Sequence, residues 1–423
     1  MKVLCTMKYV FDEVHGYIPL DELERRLVDT PTFQRLRRIK QLAQAWLVYP
    51  GAVHTRFSHS LGVMHLMGKI AGKLADAGLI RKDDLRLLKI AALLHDVGHT
   101  PYSHAIESYF KVRYGLKHEV IGSWIITEDP YIKDVLREYG IEPFEVSAII
   151  RGRHREASYN MLMSSDMDVD RLDYLLRDAL HTGVKYGVID IERIVQTITL
   201  DPEGYIAFPQ KAVQAVEAFY IARLHMYRSV YYHKTIAGYQ LLIQEIYRQM
   251  AETKEIRDFL KPFTDPEGIR KAISEGNLYL WDDFFIGGLM NLILGQKLGD
   301  EALRELIKLY LGRRGYRTVF EWVGFGKQSP LNSKLVKGLE EALSRDLRLK
   351  DERIAVKLYV ESIPIITEGA EVRILKGGGS VRVNDYGGSI ISSMPEEMGI
   401  VRLYSLPVTE GYTRELIAEF LKH

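Results

Sequence analysis

Between Leu93 and His104 the chain reads Leu-Leu-His-Asp-Val-Gly-His-Thr-Pro-Tyr-Ser-His, and seven of the 13 histidines in this 423-residue protein lie between His54 and His118. The vicinal pair His95-Asp96 sits inside that cluster, with His59 before it and Asp170 after it. Two imidazoles and two carboxylates suit a borderline or hard divalent cation such as Mn²⁺, Fe²⁺, Ni²⁺ or Zn²⁺, and less readily Mg²⁺. A cation so held acts as a Lewis acid on a carbonyl or phosphoryl oxygen. A histidine, with an unperturbed pKa of about 6.5, can hand a proton to a leaving group near neutral pH. The bland alternative for any one of these side chains is a capped or hydrogen-bonded polar residue. Four such groups in one local context favour a metal site.

The elements that must carry these groups are helical. Leu87–Leu94 is apolar and built from good helix formers, which predicts a buried helix. Gly98 is the candidate left-handed residue that ends it and Pro101 blocks a restart, so His95 and Asp96 are expected on its last turn. His59 falls early in a second helix, whose small residues Gly62, Gly68, Ala71 and Gly72 suggest close packing. A third helix over Asp166–Asp178 is closed by Gly183, and Asp170, Tyr174 and either Arg177 or Asp178 share one of its faces. Helical patterning holds from about Leu20, behind a start at Pro19, to Tyr247, including one long stretch over Ala212–Gln249. A strand-like hairpin, Ile198–Phe208, interrupts it. Ile256–Gly312 is helical without a metal-type cluster. Arg353–Ile366, Glu371–Lys376, Ser380–Val383 and Glu397–Leu406 are strand candidates, and Thr409–Lys422 is a closing helix. The expected fold is mainly α, a helical core over residues 1–250 followed by a smaller α+β C-terminal lobe over 251–423.

A hydrophobic content of 47% with 27% charged residues describes an ordinary globular chain able to bury a sizeable core. The net charge of +1 gives no broad field for nucleic acid or membrane, so an anionic ligand must meet a local basic pocket. The basic cluster Arg35, Arg37, Arg38 and Lys40 has the composition of a single-stranded nucleic-acid contact, set against a solvated or nucleotide-facing helix. The single cysteine, Cys5, excludes an intrachain disulfide and reads as a small core residue. No apolar run approaches the ~18 residues of a membrane span, and the N-terminus lacks a signal pattern. No membrane association and a cytoplasmic location are therefore expected.

Three runs extend the pattern beyond the metal residues: Val10-Phe-Asp-Glu-Val-His-Gly-Tyr-Ile-Pro-Leu, Asp29-Thr-Pro-Thr-Phe-Gln-Arg-Leu-Arg-Arg-Ile-Lys-Gln-Leu and Tyr49-Pro-Gly-Ala-Val-His-Thr-Arg-Phe-Ser-His-Ser-Leu-Gly-Val. With them the chain resembles, over about residues 8–235, the HD-domain deoxynucleoside triphosphate triphosphohydrolases. The resemblance implies an HD-domain catalytic core in which His59, His95, Asp96 and Asp170 bind a divalent metal. It places Arg56 on the α-phosphate and His99, His104 and His118 along the phosphates, with His104 as general acid. Glu107 stands where the family has an aspartate that orients this histidine. Gln41, Tyr174 and Asp178 would read the deoxyribose, Arg171 the phosphates, and Tyr231, His233 and Lys234 would border the nucleotide. The implied reaction is attack of water at the α-phosphorus of a dNTP, releasing deoxynucleoside and inorganic triphosphate. The resemblance further implies a guanine nucleotide activator held by Lys8, Asp29, Gln34, Arg37 and Arg193, and a homodimer or homotetramer. An N-cap role for Asp29 before Pro31 is the competing account of that residue. Two departures bear on selectivity: Ala43-Gln-Ala45 replaces a glycine-rich turn, and Phe11 occupies a position that is polar in the family. The alternatives are an HD phosphohydrolase of monophosphates, cyclic nucleotides or alarmones, and a nucleotide- or nucleic-acid-binding regulator.

Overall fold

A computed structural model describes residues 7–326, 336, 338–339, 356–367, 369 and 372–420. Cys5, residues 353–355, Glu371 and Lys422 lie outside the described residues. The first elements are an antiparallel hairpin, β1 (Lys8–Asp12) and β2 (Gly16–Leu20). Asp12 shapes its turn, Oδ1 accepting from the N–H groups of Val14 and His15, and Gly16 takes a φ of 72°. Pro19 lies in β2 and does not open a helix. Helix α1 (Glu22–Val28) starts behind Asp21, which forms a reciprocal capping box with Glu24. That cap satisfies two orphan N–H groups, whereas a proline is tolerated in a strand with a free edge.

The helical body then runs through α2 (Pro31–Gln34), α3 (Arg56–Asp76), α4 (Leu85–Leu94), α5 (His104–Tyr114), α6 (His118–Glu128), α7 (Pro130–Glu138), α8 (Pro143–Ile150), α9 (Ala157–Met163), α10 (Val169–Thr182) and α11 (Ile191–Thr197). A short hairpin, β3 (Thr199–Leu200) and β4 (Ile206–Pro209), precedes α12 (Val213–Met226) and α13 (Lys234–Glu252). Helices α14 (Lys254–Leu260), α15 (Pro266–Ser274), α16 (Asp283–Gln296) and α17 (Glu301–Leu311) complete it. Helix α3 packs against α4 and α10, and α13 against α5. Their buried sides share one apolar core that reaches from Ile18 to Leu406.

Two expectations about these helices are corrected. Gly98 is not a left-handed cap. A Cβ there would lie 2.2 Å from the His118 carbonyl oxygen and 2.3 Å from the Gly122 nitrogen, so glycine is required for the backbone of α6 to approach. The stretch Ala212–Gln249 is not one helix: a π turn, Tyr227–Tyr231, separates α12 from α13. Single π turns of this kind concentrate at functional sites.

The C-terminal part is α+β. Strands β5 (Arg317–Phe325) and β6 (Val356–Pro364) both pair antiparallel with β9 (Glu397–Ser405), which lies between them in the sheet; in sequence between β6 and β9, β7 (Arg373–Lys376) and β8 (Gly379–Arg382) form a hairpin through Gly377 and Gly378. Helix α18 (Glu410–Phe420) follows β9. Strand β7 also pairs parallel with β4, giving the order β3-β4-β7-β8. The fold is mainly α with a smaller α+β lobe, as expected; β5 was not anticipated.

Candidate active site

Three helix ends converge on one point. His59 lies on the first turn of α3, His95 directly follows α4, and Asp170 is the second residue of α10. The Nε2 of His59 stands 3.2 Å from Nε2 of His95, 2.9 Å from Asp170 Oδ1 and 3.8 Å from Asp96 Oδ2. The His95 Nε2 lies 3.4 Å from Asp96 and 3.7 Å from Asp170. His59 Nδ1 is turned to the Asp173 carboxylate at 2.8 Å, and His95 Nδ1 to the carbonyl of Ala92 at 2.8 Å. Both acceptors take an N–H, so Nε2 of each ring is the nitrogen turned toward the other ring and the carboxylates of Asp96 and Asp170, and it can bind a cation once its proton is lost. Ligands about 2.1 Å from one ion are separated by ~3.0–3.4 Å. The donor set and its spacing therefore fit a divalent cation. Burial opposes a charge on His59, but Asp170 and Asp173 outweigh it and push its pKa up to about 10, so a cation entering here displaces a proton. Burial would likewise raise Asp96, yet Arg56, His95 and His99 hold its carboxyl well below the usual range.

Around this point lie the groups expected to meet phosphate. Arg56 donates from Nε to Ser103 Oγ at 3.0 Å. Ser103 holds a φ of 50° just before α5, a strained conformation of the sort retained at active sites. Glu107 clamps two imidazoles: Oε2 takes His104 Nδ1 at 2.9 Å, and Oε1 takes His118 Nδ1 at 2.8 Å and the His118 N–H at 3.0 Å. Against burial, these histidines keep the Glu107 carboxyl far below its usual range, while Glu107 raises His118. The donor atoms of His99, His104, Glu107 and His118 lie within 4.8 Å of one another, close enough for an ion, yet the shared carboxylate already pairs two of the imidazoles. His99 stacks on His118 with ring centres 3.9 Å apart. Burial, with Arg56 and His118 nearby, drives His99 well below the ordinary histidine value, and its Nε2 is 3.1 Å from Asp96 Oδ1.

A cavity of about 700 Å³ joins these groups to the sugar-reading candidates Gln41, Tyr174, Asp178 and Tyr231, and to Arg171. Asp178 is buried and pairs with His54 Nε2 at 2.7 Å. Among the described residues Gln41 Oε1 is buried without a hydrogen-bond partner, an acceptor left over for a ligand. Tyr231, the last residue of the π turn, sets its ring edge-on to Tyr174 at 5.6 Å. Arg171 is tied to Asp168. Ala43 has a φ of 46°, so the alanine standing where the family turn is glycine-rich keeps a glycine-like backbone. His233 and Lys234 do not face the cavity: His233 caps α13, accepting from the Thr235 N–H, and Lys234 lies 3.6 Å from Glu321. Of the pair left open on α10, Asp178 lines the cavity, whereas Arg177 is fully buried against Asp173 and Asp12. Tyr359 and Glu361 of β6 also line it, a contribution of the C-terminal lobe that the sequence reading missed.

The residues expected to hold an activator divide. Gln34 donates to the Val28 carbonyl at 2.7 Å and accepts from Arg37 Nε at 2.8 Å; Asp29, exposed at the end of α1, accepts from Arg25. Asp29 is the C-cap of α1, and Thr30 is the N-cap of α2, so the competing account of Asp29 is wrong. Among the described residues no hydrogen bond or ion pair joins Lys8 or Arg193 to this trio within the chain. Arg193 instead donates to the Lys211 carbonyl at 2.8 Å. The basic cluster is not a uniform exposed face. Arg35 is fully buried, donating to the carbonyls of Trp281, Val97 and His99, and Arg38 pairs with Asp282.

Residues 56–178 match the HD domain and residues 189–275 the HD associated region. The chain belongs to the HD-domain family of metal-dependent phosphohydrolases. Among its relatives is the uncharacterized protein YwfO of Bacillus subtilis, 34% identical over 328 residues, 76% of this chain and 73% of that one. An uncharacterized protein of Methanocaldococcus jannaschii is 39% identical over 255 residues, 60% of this chain and 51% of that one. Human deoxynucleoside triphosphate triphosphohydrolase SAMHD1 is 31% identical over 362 residues, 75% of this chain and 55% of that one. The chain thus spans about half the length of the archaeal and human relatives. A hypothetical protein from Aquifex aeolicus has a similar solved structure, with a TM-score of 0.76 at 25% identity over 97% of this chain and 100% of that one. Among the described residues no helix is long and apolar enough to cross a membrane.

Proposed function

We propose that the protein is a dNTP triphosphohydrolase, cleaving a dNTP to deoxynucleoside and inorganic triphosphate. The observation that carries this reading is one cavity lined by His95, Asp96 and Asp170 of the metal-type cluster, the His104–Glu107 pair, Arg56 and the polar groups suited to a deoxyribose. His59, His95, Asp96 and Asp170 would hold the metal, which supplies Lewis acidity to the phosphoryl group. Arg56, Arg171 and His118 neutralise charge on the phosphate oxygens. Water oxygen bonds to the α-phosphorus and gives up a proton to the solvent while the bond from phosphorus to the 5′ oxygen breaks, and His104, aligned through Nδ1 by Glu107, protonates that oxygen from Nε2. Gln41, Tyr174, Asp178 and Tyr231 fix the sugar. The similarity to SAMHD1 supports the same substrate class. Incubation with each dNTP and each of Mn²⁺, Fe²⁺, Ni²⁺, Zn²⁺ and Mg²⁺, with products resolved by anion-exchange chromatography, tests it. Triphosphate with deoxynucleoside supports the reading; monophosphate with pyrophosphate, or turnover of only monophosphates or cyclic nucleotides, overturns it.

Regulation and assembly belong to the same proposal. Asp29 can accept from the N1 and N2 donors of guanine, and Arg37 or Gln34 can donate to O6. Lys8 and Arg193, which do not reach this trio within the chain, would bring phosphate contacts if copies of the chain associate, so a guanine nucleotide would favour a homodimer or homotetramer.

A further inference from the structure

Asp173 sits one turn along α10 from Asp170 and holds three residues at once. Its Oδ2 accepts from His59 Nδ1 and from Arg177 Nε, each at 2.8 Å; its Oδ1 accepts from His15 Nε2 at 2.6 Å and from Arg177 Nη2 at 3.0 Å. Arg177 is held in turn by Asp12, at 2.9 and 3.2 Å. His15 and Asp12 both belong to the turn of the β1–β2 hairpin, so that turn reaches His59 through one intervening carboxylate. The side chains of Asp173 and Arg177 are fully buried and that of His15 is 5% exposed. Space for the cluster is reserved on α3 itself: a Cβ on Gly62, one turn from His59, would stand 1.9 Å from Asp173 Oδ1. A carboxylate satisfied on both oxygens cannot rotate, and the plane of this one fixes both the tautomer and the tilt of the His59 ring.

We propose that the N-terminal hairpin is a positioning element of the metal centre, with His15 and Asp12 acting through Asp173 on the His59 imidazole. The inference rests on His59 being a metal ligand, and it concerns metal binding rather than the identity of the substrate. Groups of this kind change metal affinity by ~10–100-fold.

The test is titration of the full chain with Co²⁺, following its visible ligand-field absorption, for the parent, His15→Ala, His15→Gln, Asp173→Asn and Asp96→Ala. His15→Ala should weaken Co²⁺ binding ~10–100-fold and shift the absorption, with far-ultraviolet circular dichroism unchanged. His15→Gln, whose amide can still donate to Asp173, should recover most of the affinity and the parent spectrum. Parent-like affinity and spectrum in both His15→Ala and Asp173→Asn overturn the inference. Should Asp173→Asn fail to fold because Arg177 loses its partner, the two His15 variants decide alone. Retention of Co²⁺ by Asp96→Ala would instead overturn the metal assignment itself, a distinguishable failure.

Discussion

Arg56 Nη1 donates to Asp96 Oδ2 at 2.5 Å, so the cation proposed to face a phosphate and the carboxylate proposed to face a metal form one electrostatic unit. Both side chains are almost completely buried. Removing one partner strands the other in a low-dielectric site, where an unpaired charge costs several kcal/mol.

Asp96→Ala and His95→Ala are accordingly expected to abolish turnover and stoichiometric metal together, since a four-ligand site loses most of its affinity with one ligand. Metal content by elemental analysis, beside the rate, checks this. An Asp96→Ala protein with full metal and full activity would remove these residues from the site.

His104→Ala should keep metal and nucleotide while kcat falls by ~10²–10⁴-fold, the scale of a positioned general acid. Glu107→Asp should show a smaller part of that loss in kcat with little change in KM, because the shorter arm cannot reach both His104 and His118. A rate within a few-fold of the parent in His104→Ala would pass the proton to His99 or His118, whose rings lie 5.3 and 5.9 Å from that of His104, or point to a different chemistry.

Acid sensitivity is expected from His65. Burial, with His15 and Lys69 beside it, pushes its pKa down to about 4 from the usual 6.5, while Asp12 works weakly the other way and Lys89 adds to the depression. The unfolded chain therefore binds a proton here before the folded one does, and stability falls as the pH drops from about 6.5 to about 4. Urea unfolding across that range should show a shallower fall for His65→Gln than for the parent. Identical slopes would remove His65 as a cause.

What the sequence disclosed and what it withheld divide by distance along the chain. His95 and Asp96 are adjacent, His59 lies one helix earlier, and helical periodicity alone sets Asp170 and Tyr174 on one face, so the metal-type cluster was legible. The hydrogen bond from His15 to Asp173 spans 158 residues, and no local pattern announces it. Tyr359 and Glu361 reach the cavity only because β6 folds back over α13. Gly98 misled for another reason: a glycine after a helix satisfies the rule for a left-handed cap, and only the position of α6 shows that the missing side chain is what matters. The run Arg317–Phe325 carries the β-branched and aromatic composition of a strand, a signal present in the sequence that the reading passed over.

If guanine nucleotides activate, hydrolysis of dATP or dTTP should rise when GTP or dGTP is added, and light scattering should report a dimer or tetramer under the same conditions. Coupling between binding sites is reciprocal, so whatever factor the activator adds to substrate affinity, substrate should add to activator affinity. Asp29→Ala should lose the stimulation and keep the basal rate. A monomer whose rate ignores guanine nucleotides leaves the catalytic proposal standing and removes the regulatory one.

Gly98→Ala should be strongly destabilising, by ~3 kcal/mol or more, because the new methyl group meets backbone atoms of α6 that cannot rotate away. Thermal unfolding against Gly288→Ala, where a Cβ meets nothing within 4 Å, provides the control.

The parallel pairing of β7 with β4 also governs how the chain can be cut. Strand β4 lies inside a four-stranded sheet only because β7, more than 160 residues later, covers its edge. A shortened chain ending after α17 would keep every candidate metal ligand, yet it would present β4 with a row of unpaired amide and carbonyl groups, a template onto which other chains can add. Such a fragment should come out of expression self-associated or in inclusion bodies, and the remedy is to retain residues through β9, the strand on which β5 and β6 both pair, rather than to alter the catalytic helices.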